Sequence, residues 1–226
     1  MEQLQLREKE IFETLKRIKN QKFVLIGGYA VNAYTLPRFS VDCDIVTEDK
    51  TATAKITKEL EKQDYERAKD TDFGPYYGDF LKYEKTIKKN FIVSFDILIK
   101  SVYDRQTKAV FSAEWVFKNS AIRTLKGKTI PDELRLRIVN PDALVVMKFV
   151  SCRNADIKDV FMIIPQVKDF EWVKKEVSER ADFGNRFSRV KDKVTSAQFK
   201  NNLQGVYGYI DENLFEKHKK TILSLE

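Results

Sequence analysis

The amino-acid sequence predicts an α/β fold followed by an all-helical C-terminal region. Across residues 1–139, short apolar segments typical of strands alternate with segments of helical periodicity. From Asn140-Pro141 onward the apolar spacing is helical, and asparagine followed by proline is typical of a helix start. With 226 residues, the chain is long enough to bury a substantial core. We therefore expect two domains, 1–139 and 140–226.

Helices and strands alternate at the start of the chain. Ile11, Leu15 and Ile18 recur at helical spacing, which predicts an amphipathic helix over 3–19. The elements predicted next are a strand at 22–26, a helix at 29–34, a strand at 39–46 and a helix at 51–63. Pro37 is expected to end the helix before it, because the residue that precedes a proline is pushed towards extended conformations.

The remainder of the first region is predicted to be rich in β-structure. Residues 66–78 include Gly74, Pro75 and Gly78, which predict a turn-rich loop. Residues 91–99 are almost continuously apolar, as expected for a buried central strand. Further strands are predicted at 79–85, 121–125 and 134–139.

The second region is predicted to be entirely helical. Its helices are expected at 141–152, 156–164, 168–180, 185–204 and 211–224. His218, the only histidine of the sequence, falls in a polar part of the last helix, so a histidine triad or a zinc site is not expected. Tyr207, Tyr209 and Phe215 lie near Lys217, Lys219 and Lys220 and could form a stacking, basic surface for nucleic acid, yet such aromatic residues more often form the core of a terminal helix.

The composition is that of a globular protein with an excess of basic residues. The formal net charge is +7, from 41 Lys+Arg against 34 Asp+Glu. This balance is compatible with a polyanionic partner such as a nucleic acid, although an excess of lysine also serves solubility. No apolar run approaches the ~20 residues that span a bilayer. The charged start, MEQLQLREKE, has no signal-peptide apolar segment, so we expect a cytoplasmic protein without a membrane partner.

The two cysteines, Cys43 and Cys152, do not have the spacing of metal ligands. Each lies within an apolar element, and free cysteines are among the most frequently buried residues. Both are therefore predicted to be buried free thiols, which favours a reducing compartment.

A strand, a glycine pair and two spaced aspartates form the most informative motif. Phe23-Val-Leu-Ile26 leads into Gly27-Gly28, and Asp42-Cys-Asp44 follows after a spacer of thirteen residues. A turn without side chains can approach a polyphosphate closely, and a helix that begins there directs free N–H groups at it. Residues i and i+2 of a strand share one face, so Asp42 and Asp44 can bind divalent cations together. The motif predicts a phosphate cradle beside a metal site.

Asp96 is the candidate for a third metal ligand. It lies between Phe95 and Ile97 in the apolar segment, where a carboxylate requires an ionic partner or a metal. If residues 91–99 pair with the strand that carries Asp42, all three carboxylates point at the same ions. The alternative is an ion pair between Asp96 and a lysine at the end of the sheet.

This arrangement resembles the nucleotidyltransferase superfamily, whose signature is an apolar strand, Gly-Gly or Gly-Ser, a spacer and Asp-x-Asp. Residues 37–44, Pro-Arg-Phe-Ser-Val-Asp-Cys-Asp, are similar to the Arg-x-Ser/Thr-x-Asp-x-Asp pattern of the AbiEii-like branch, which includes toxins of toxin–antitoxin pairs. Residues 140–159 are similar to the same branch, whose members carry a lysine in an apolar helix, then an arginine, then Lys-Asp opening another helix. The resemblance implies a catalytic core with a small mixed sheet flanked by helices over 1–139, and a helical domain after it.

The resemblance also implies roles for five further residues. Arg38 and Ser40 extend the first pattern, and Arg38 would neutralise triphosphate charge because its rigid fork binds phosphate in a bidentate manner. Lys148 would be a catalytic residue that contacts a nucleotide phosphate, and Ser40, Arg153 and Asp159 would belong to the nucleotide site. The alternatives are an ion pair of Arg38 with a neighbouring acid, a snorkelling Lys148, and a role for Asp159 in orienting Lys148 or Arg153.

The activity that the resemblance implies is transfer of a nucleoside monophosphate from a nucleoside triphosphate to an acceptor. Two Mg²⁺ ions, held by the three aspartates, would stabilise the entering and leaving oxygens. The acceptors to be expected are tRNA or another RNA, a protein side chain, or a small hydroxylated molecule such as an aminoglycoside. A toxin of this kind would have an antitoxin protein as a partner. The alternatives are a non-catalytic nucleotide- or nucleic-acid-binding regulator on the same fold, and phosphoryl transfer from the same site.

Overall fold

The computed structural model describes residues 2–69, 79–88 and 91–225. The chain divides into two compact units. The first consists of Met1–Ala33, Pro37–Tyr103 and Val110–Val139. The second consists of Tyr34–Leu36, Asp104–Ala109 and Asn140–Glu226.

The first unit contains both helices and strands. Its helices are α1 (Glu2–Ile18), α2 (Gly27–Val31), α3 (Lys50–Glu61) and α4 (Ala113–Lys118). Its strands are β1 (Val24–Leu25), β2 (Asp42–Thr47), β3 (Glu66–Arg67), β4 (Asp79–Lys88), β5 (Phe91–Ile99), β6 (Ser101–Tyr103), β7 (Val110–Ser112), β8 (Ser120–Lys126) and β9 (Glu133–Val139).

A mixed sheet organises the first unit. Among the described residues it has seven strands in the order β3-β4-β5-β2-β1-β9-β8, and β6 and β7 form a separate antiparallel pair. Strands β2 and β5 run parallel, whereas β4 is antiparallel to β5 and β1 is antiparallel to β2. Strand β5 therefore has a partner on each side, as its continuous apolar sequence predicted. The predicted α/β architecture with a mixed sheet and flanking helices is confirmed.

The helices of this unit form where the sequence provides apolar spacing and caps. Ile11, Leu15 and Ile18 are fully buried, so the predicted apolar face of α1 is confirmed. Helix α3 begins after Asp49, whose carboxylate accepts a hydrogen bond from the backbone N–H of Ala52 at 2.7 Å. Such a cap satisfies one of the N–H groups that a helix start leaves without a partner.

Several short elements were not predicted. They are β3, β6, β7 and α4, each six residues or shorter, where periodicity carries little information. Helix α4 does carry a local signal, since the hydroxyl of Ser112 accepts a hydrogen bond from the N–H of Trp115. The predicted loop over 66–78 was wrong for Glu66 and Arg67, which pair with β4, and its part from 70 to 78 lies outside the described residues.

The second unit is helical in its described part. Its helices are α5 (Pro141–Ser151), α6 (Asn154–Ile163), α7 (Phe170–Ser178), α8 (Phe183–Thr195), α9 (Phe199–Tyr207) and α10 (Glu212–Leu223), with a 3₁₀ turn at Ile164–Gln166. The single helix predicted over 185–204 was wrong, because it is divided into α8 and α9. The backbone of Ser196 is extended there, with φ −67° and ψ 142°.

Burial in the C-terminal region follows the prediction except at Tyr209 and His218. Tyr207 and Phe215 are buried, as expected for core residues, whereas Tyr209 is 84% exposed, so its placement in the core was wrong. His218 is buried as well, and its Nδ1 lies 2.9 Å from the carbonyl oxygen of Phe161, so the placement in a polar environment was wrong. Cys43 and Cys152 are buried free thiols, as predicted.

The part of the chain that the structure describes contains no helix that is both long and apolar enough to cross a membrane.

Candidate active site

Three carboxylates meet on one face of the central sheet. Asp42 and Asp44 lie on β2, with the buried Cys43 and Ile45 on the opposite face. Asp96 of β5 is the direct register partner of Asp44. One carboxylate oxygen from each of the three aspartates lies within 4.8 Å of the other two. The parallel pairing of β2 and β5 thus brings together the three residues that the sequence proposed as metal ligands.

Gly27 packs directly against this group. Its backbone has φ +64°, a left-handed conformation that favours glycine. A Cβ atom at this position would overlap Asp44 Oδ2 and lie 2.8 Å from Asp44 Cγ. The backbone N–H of Ile26 donates a hydrogen bond to the carbonyl oxygen of Asp44 at 3.0 Å. The backbone of the glycine turn and the Asp44 carboxylate are therefore packed directly against each other.

Gly28 faces the second part of the motif. A Cβ atom on Gly28 would overlap the hydroxyl of Ser40 and lie 2.9 Å from Arg38 Nη2. Ser40 is buried, so its hydroxyl is held against the glycine backbone. The residues of the Gly-Gly and Arg-x-Ser patterns are consequently in contact, which their separation in sequence does not reveal.

Asn32 fixes the backbone of Arg38, a role that sequence reasoning missed. The Asn32 side chain donates to the carbonyl oxygen of Arg38 at 2.9 Å and accepts from its N–H at 3.0 Å. The Arg38 guanidinium donates from Nη1 to the carbonyl oxygen of Phe39 at 2.9 Å. The signal in the sequence was an asparagine within the apolar segment 29–34, since an amide that is buried there is expected to be hydrogen-bonded.

The acids near Arg38 in sequence have other partners. Glu48 forms an ion pair with Lys22, and Asp49 caps α3. The structure thus gives these carboxylates functions that do not involve Arg38. The prediction that Arg38 balances triphosphate charge stays a prediction, and its guanidinium lies beside Gly28.

Lys82 is a second residue that sequence reasoning missed. It lies on β4 directly opposite Asp96, and its ammonium forms an ion pair with Glu84 at 2.8 Å. Burial acts to lower the pKa of Lys82, but the hydrogen bond to Glu84 and the negative charges of Glu84, Asp96 and Asp42 outweigh it, so the pKa is raised. Asp96 therefore faces both the other two aspartates and a lysine. The role of Asp96 as a metal ligand stays a prediction.

The negative charge of the aspartate cluster also acts on Cys43. Burial raises the pKa of this thiol well above its usual value, and the carboxylates of Asp44, Asp42 and Asp96 raise it further. The thiol consequently stays protonated and does not add a ligand to the site at neutral pH.

Lys148 belongs to an ionic cluster in the second unit. Its ammonium lies 2.7 Å from Asp156 Oδ1 and 2.9 Å from Asp159 Oδ2, and both aspartates are buried. The phenol of Tyr207 donates to Asp159 Oδ1 at 2.6 Å. The predicted contact of Lys148 with a nucleotide phosphate stays a prediction. The ion pair with Asp159 is the arrangement expected if Asp159 orients the lysine.

Arg153 lies at the start of α6 with its side chain half exposed. The guanidinium Nη2 forms an ion pair with Asp104 Oδ2 at 2.9 Å. Its backbone N–H donates to Asp156 Oδ2 at 3.2 Å, so the lysine cluster and the helix start share one carboxylate. Its assignment to a nucleotide site also stays a prediction.

The aspartate cluster suits hard divalent cations. Carboxylate oxygens are the ligands that Mg²⁺ prefers, and three aspartates usually suffice for a pair of ions when phosphate oxygens and waters complete the shell. The glycine turn beside Asp44 leaves backbone without side chains where a polyphosphate would approach. The residues present therefore fit a metal-dependent phosphate reaction.

Comparison with known sequences produced no match, either to a protein-family model or to a curated protein. Comparison with solved structures did produce matches. The toxin MenT4 from Mycobacterium tuberculosis, a nucleotidyltransferase, is 13% identical with a TM-score of 0.60, over 99% of this chain and 84% of MenT4.

Two further structures match over almost their full lengths. A protein from H. pylori assigned as a nucleotidyltransferase is 15% identical with a TM-score of 0.52, over 100% of this chain and 99% of that protein. An antigenic nucleotidyltransferase-like protein from Paracoccidioides brasiliensis is 14% identical with a TM-score of 0.51, over 96% and 98% of the two chains. The chain thus has the nucleotidyltransferase fold, as its motifs predicted.

Proposed function

We propose that this protein is a Mg²⁺-dependent nucleotidyltransferase that transfers a nucleoside monophosphate from a nucleoside triphosphate to an acceptor. The observation that carries the proposal is the meeting of Asp42, Asp44 and Asp96 beside the Gly27 turn, within a nucleotidyltransferase fold. A fold of this kind can host other functions, so the proposal depends on the chemistry of these residues.

Each residue of the site has its own role in the proposed reaction. Asp42, Asp44 and Asp96 would hold the metal, which stabilises charge on the entering and leaving oxygens when bound. Gly27 and Gly28 allow the triphosphate to approach the backbone, and Arg38 balances its charge. Asp96 accepts the proton of the acceptor hydroxyl. That oxygen bonds to the α-phosphorus, the bond from the α-phosphorus to the bridging oxygen breaks, and pyrophosphate leaves.

We propose that residues 1–139 form the catalytic core and that Lys148, in the helical region 140–226, is also a catalytic residue. Lys148 is proposed to contribute to nucleotide binding, with Arg153 and Asp159, as the motif resemblance implies. The net charge of +7 favours RNA, including tRNA, as the acceptor. MenT4 is a toxin, and by analogy we propose a cytoplasmic toxin with an antitoxin partner.

The test is label transfer. The protein is incubated with Mg²⁺, each of the four α-³²P nucleoside triphosphates in turn, and total RNA, and products are separated as RNA, protein and small molecules. We expect label on RNA. The rate of label transfer should fall by at least about 100-fold in Asp42→Asn and Asp44→Asn, because electrostatic stabilisation of the transition state is among the largest contributions to catalysis. Absence of label from every fraction would exclude the proposed activity.

Two controls separate the alternatives. A γ-labelled triphosphate leaves its label on the acceptor only if phosphoryl transfer occurs, so γ-label without α-label would replace the proposal with a kinase-like reaction. A non-catalytic regulator would bind triphosphate without labelling any acceptor, and calorimetric titration with Mg²⁺ and a nucleoside triphosphate measures that binding directly.

A further inference from the structure

A hollow on the first unit is lined by cations and apolar side chains. It lies where the end of α1 and the start of β1 meet strands β8 and β9. Its cationic side chains come from Lys19, Lys22, Arg135 and Arg137, all of which are exposed. We call this set the basic hollow. No carboxylate is among the described residues that line it.

The strand register explains why these arginines point the same way. Arg135 and Arg137 are two residues apart on β9, so they share one face, and they pair with Thr124 and Ile122 of β8. Leu134, Leu136 and Ile138, which are buried, alternate with them along β9. Two guanidinium groups therefore project from the same side of the sheet near its β8 edge.

Like charges are close together in the basic hollow. The hydrogen bond to Glu48 and the negative charges of Glu48 and Asp49 raise the pKa of Lys22, and the positive charge of Arg137 opposes them only weakly. Lys22 pairs with Glu48, whereas the hydrogen bonds of the Arg137 side chain to other described residues are long ones to Ser120, at 3.4 and 3.5 Å. Among the described residues only Lys22 of this set has an ion pair, with Glu48, and four cations with so little neutralising charge are complementary to an anionic ligand.

Apolar surface accompanies these cations. The Lys22 ammonium lies 5.6 Å from the centroid of the Phe117 ring, and the side chain of Ile122 is 46% exposed. Phe117 is partly exposed at the same place. An aromatic ring and an aliphatic side chain between cations suit a ligand that carries both flat bases and phosphates.

We propose that the basic hollow binds the acceptor RNA, with Arg135 and Arg137 contacting phosphates and Phe117 contacting a base. The proposal rests on the proposed function, because it names RNA as the acceptor of that reaction. An acidic protein surface would satisfy the cations but leave the ring without a stacking partner, so RNA is favoured.

The test measures binding without catalysis. Fluorescein-labelled bulk tRNA is titrated with the full-length protein at several salt concentrations in EDTA, and anisotropy gives the dissociation constant. For Arg135→Gln/Arg137→Gln we expect affinity to fall on the order of tenfold and the salt slope to fall by about 2, because two phosphate contacts are removed. The matched control, Lys55→Gln/Lys58→Gln on α3, removes the same charge from another exposed surface and should change the affinity less than threefold.

Equal affinity in the two double variants would overturn the proposal, as would wild-type protein that does not bind tRNA. Equal affinity of wild-type protein for polyglutamate of matched charge would instead indicate an acidic protein partner and would also overturn it. Phe117→Leu retains an apolar side chain and should weaken tRNA binding but not polyglutamate binding. RNA binding at this surface without label transfer would reject the proposed function and retain the surface.

Discussion

At the scale of single residues, Gly27 couples the phosphate turn to the metal-binding face. Two independent constraints apply, a φ of +64° and the absence of room for a Cβ atom against Asp44. We expect Gly27→Ala to displace the Asp44 carboxylate, to lower label transfer by at least about 100-fold, and to destabilise the fold by about 1–3 kcal/mol. Label transfer and urea unfolding measure the two effects.

Gly205 provides the matched control for that substitution. It lies within α9, and a Cβ atom there would have nothing within 4 Å. Gly205→Ala should stabilise the protein by about 0.4–1 kcal/mol, since alanine restricts the unfolded chain, and should leave label transfer unchanged. A Gly27→Ala variant that behaved like Gly205→Ala would show that the turn does not shape the site.

Lys82 is expected to compete with metal for the aspartates. Without metal, its ammonium offsets the carboxylates of Asp96 and Glu84, so Lys82→Gln should destabilise the metal-free protein by about 1 kcal/mol. The same substitution removes a cation that opposes Mg²⁺, so the increase in Tm on adding Mg²⁺ should be larger in the variant. Thermal unfolding in EDTA and in Mg²⁺ checks both effects, and an unchanged Mg²⁺ effect would contradict the competition.

At the scale of elements, the strands of the site were predictable because their sequences are unambiguous. Strand β5 was predicted at 91–99 and lies at Phe91–Ile99, since a continuous apolar run has few alternatives to a buried strand. Strand β2 begins at Asp42 rather than at residue 39, because the backbone of Arg38 is held by Asn32 before the strand starts. The contact spans only six residues, but helix and strand periodicity do not encode it.

Other elements depend on contacts that a linear pattern does not contain. The break between α8 and α9 leaves the helical spacing of apolar residues almost intact, so periodicity alone predicted one helix. The sequence did not predict a role for Lys82, because that role depends on the pairing of β4 with β5, which places Lys82 opposite Asp96. Motifs therefore identified the ligands of the site, whereas the residues that support them required the folded chain.

At the scale of the whole molecule, each compact unit carries one buried thiol, Cys43 in the first and Cys152 in the second. Burial raises the pKa of both thiols, and for Cys43 the neighbouring aspartates add to the effect. Thiolate is the reactive form, so both cysteines should be alkylated slowly in the native protein.

Thiol reactivity consequently reports the opening of each unit separately. With iodoacetamide at pH 8, we expect each cysteine to react at least about 100-fold more slowly in the native protein than in 8 M urea, because reaction requires opening. Mass spectrometry of peptides assigns the rates, and Cys43→Ala and Cys152→Ala confirm the assignment. A nucleoside triphosphate with Mg²⁺ should slow Cys43 further if it binds the aspartate cluster, since binding stabilises the closed state. Rapid native labelling at either position would contradict the burial described above.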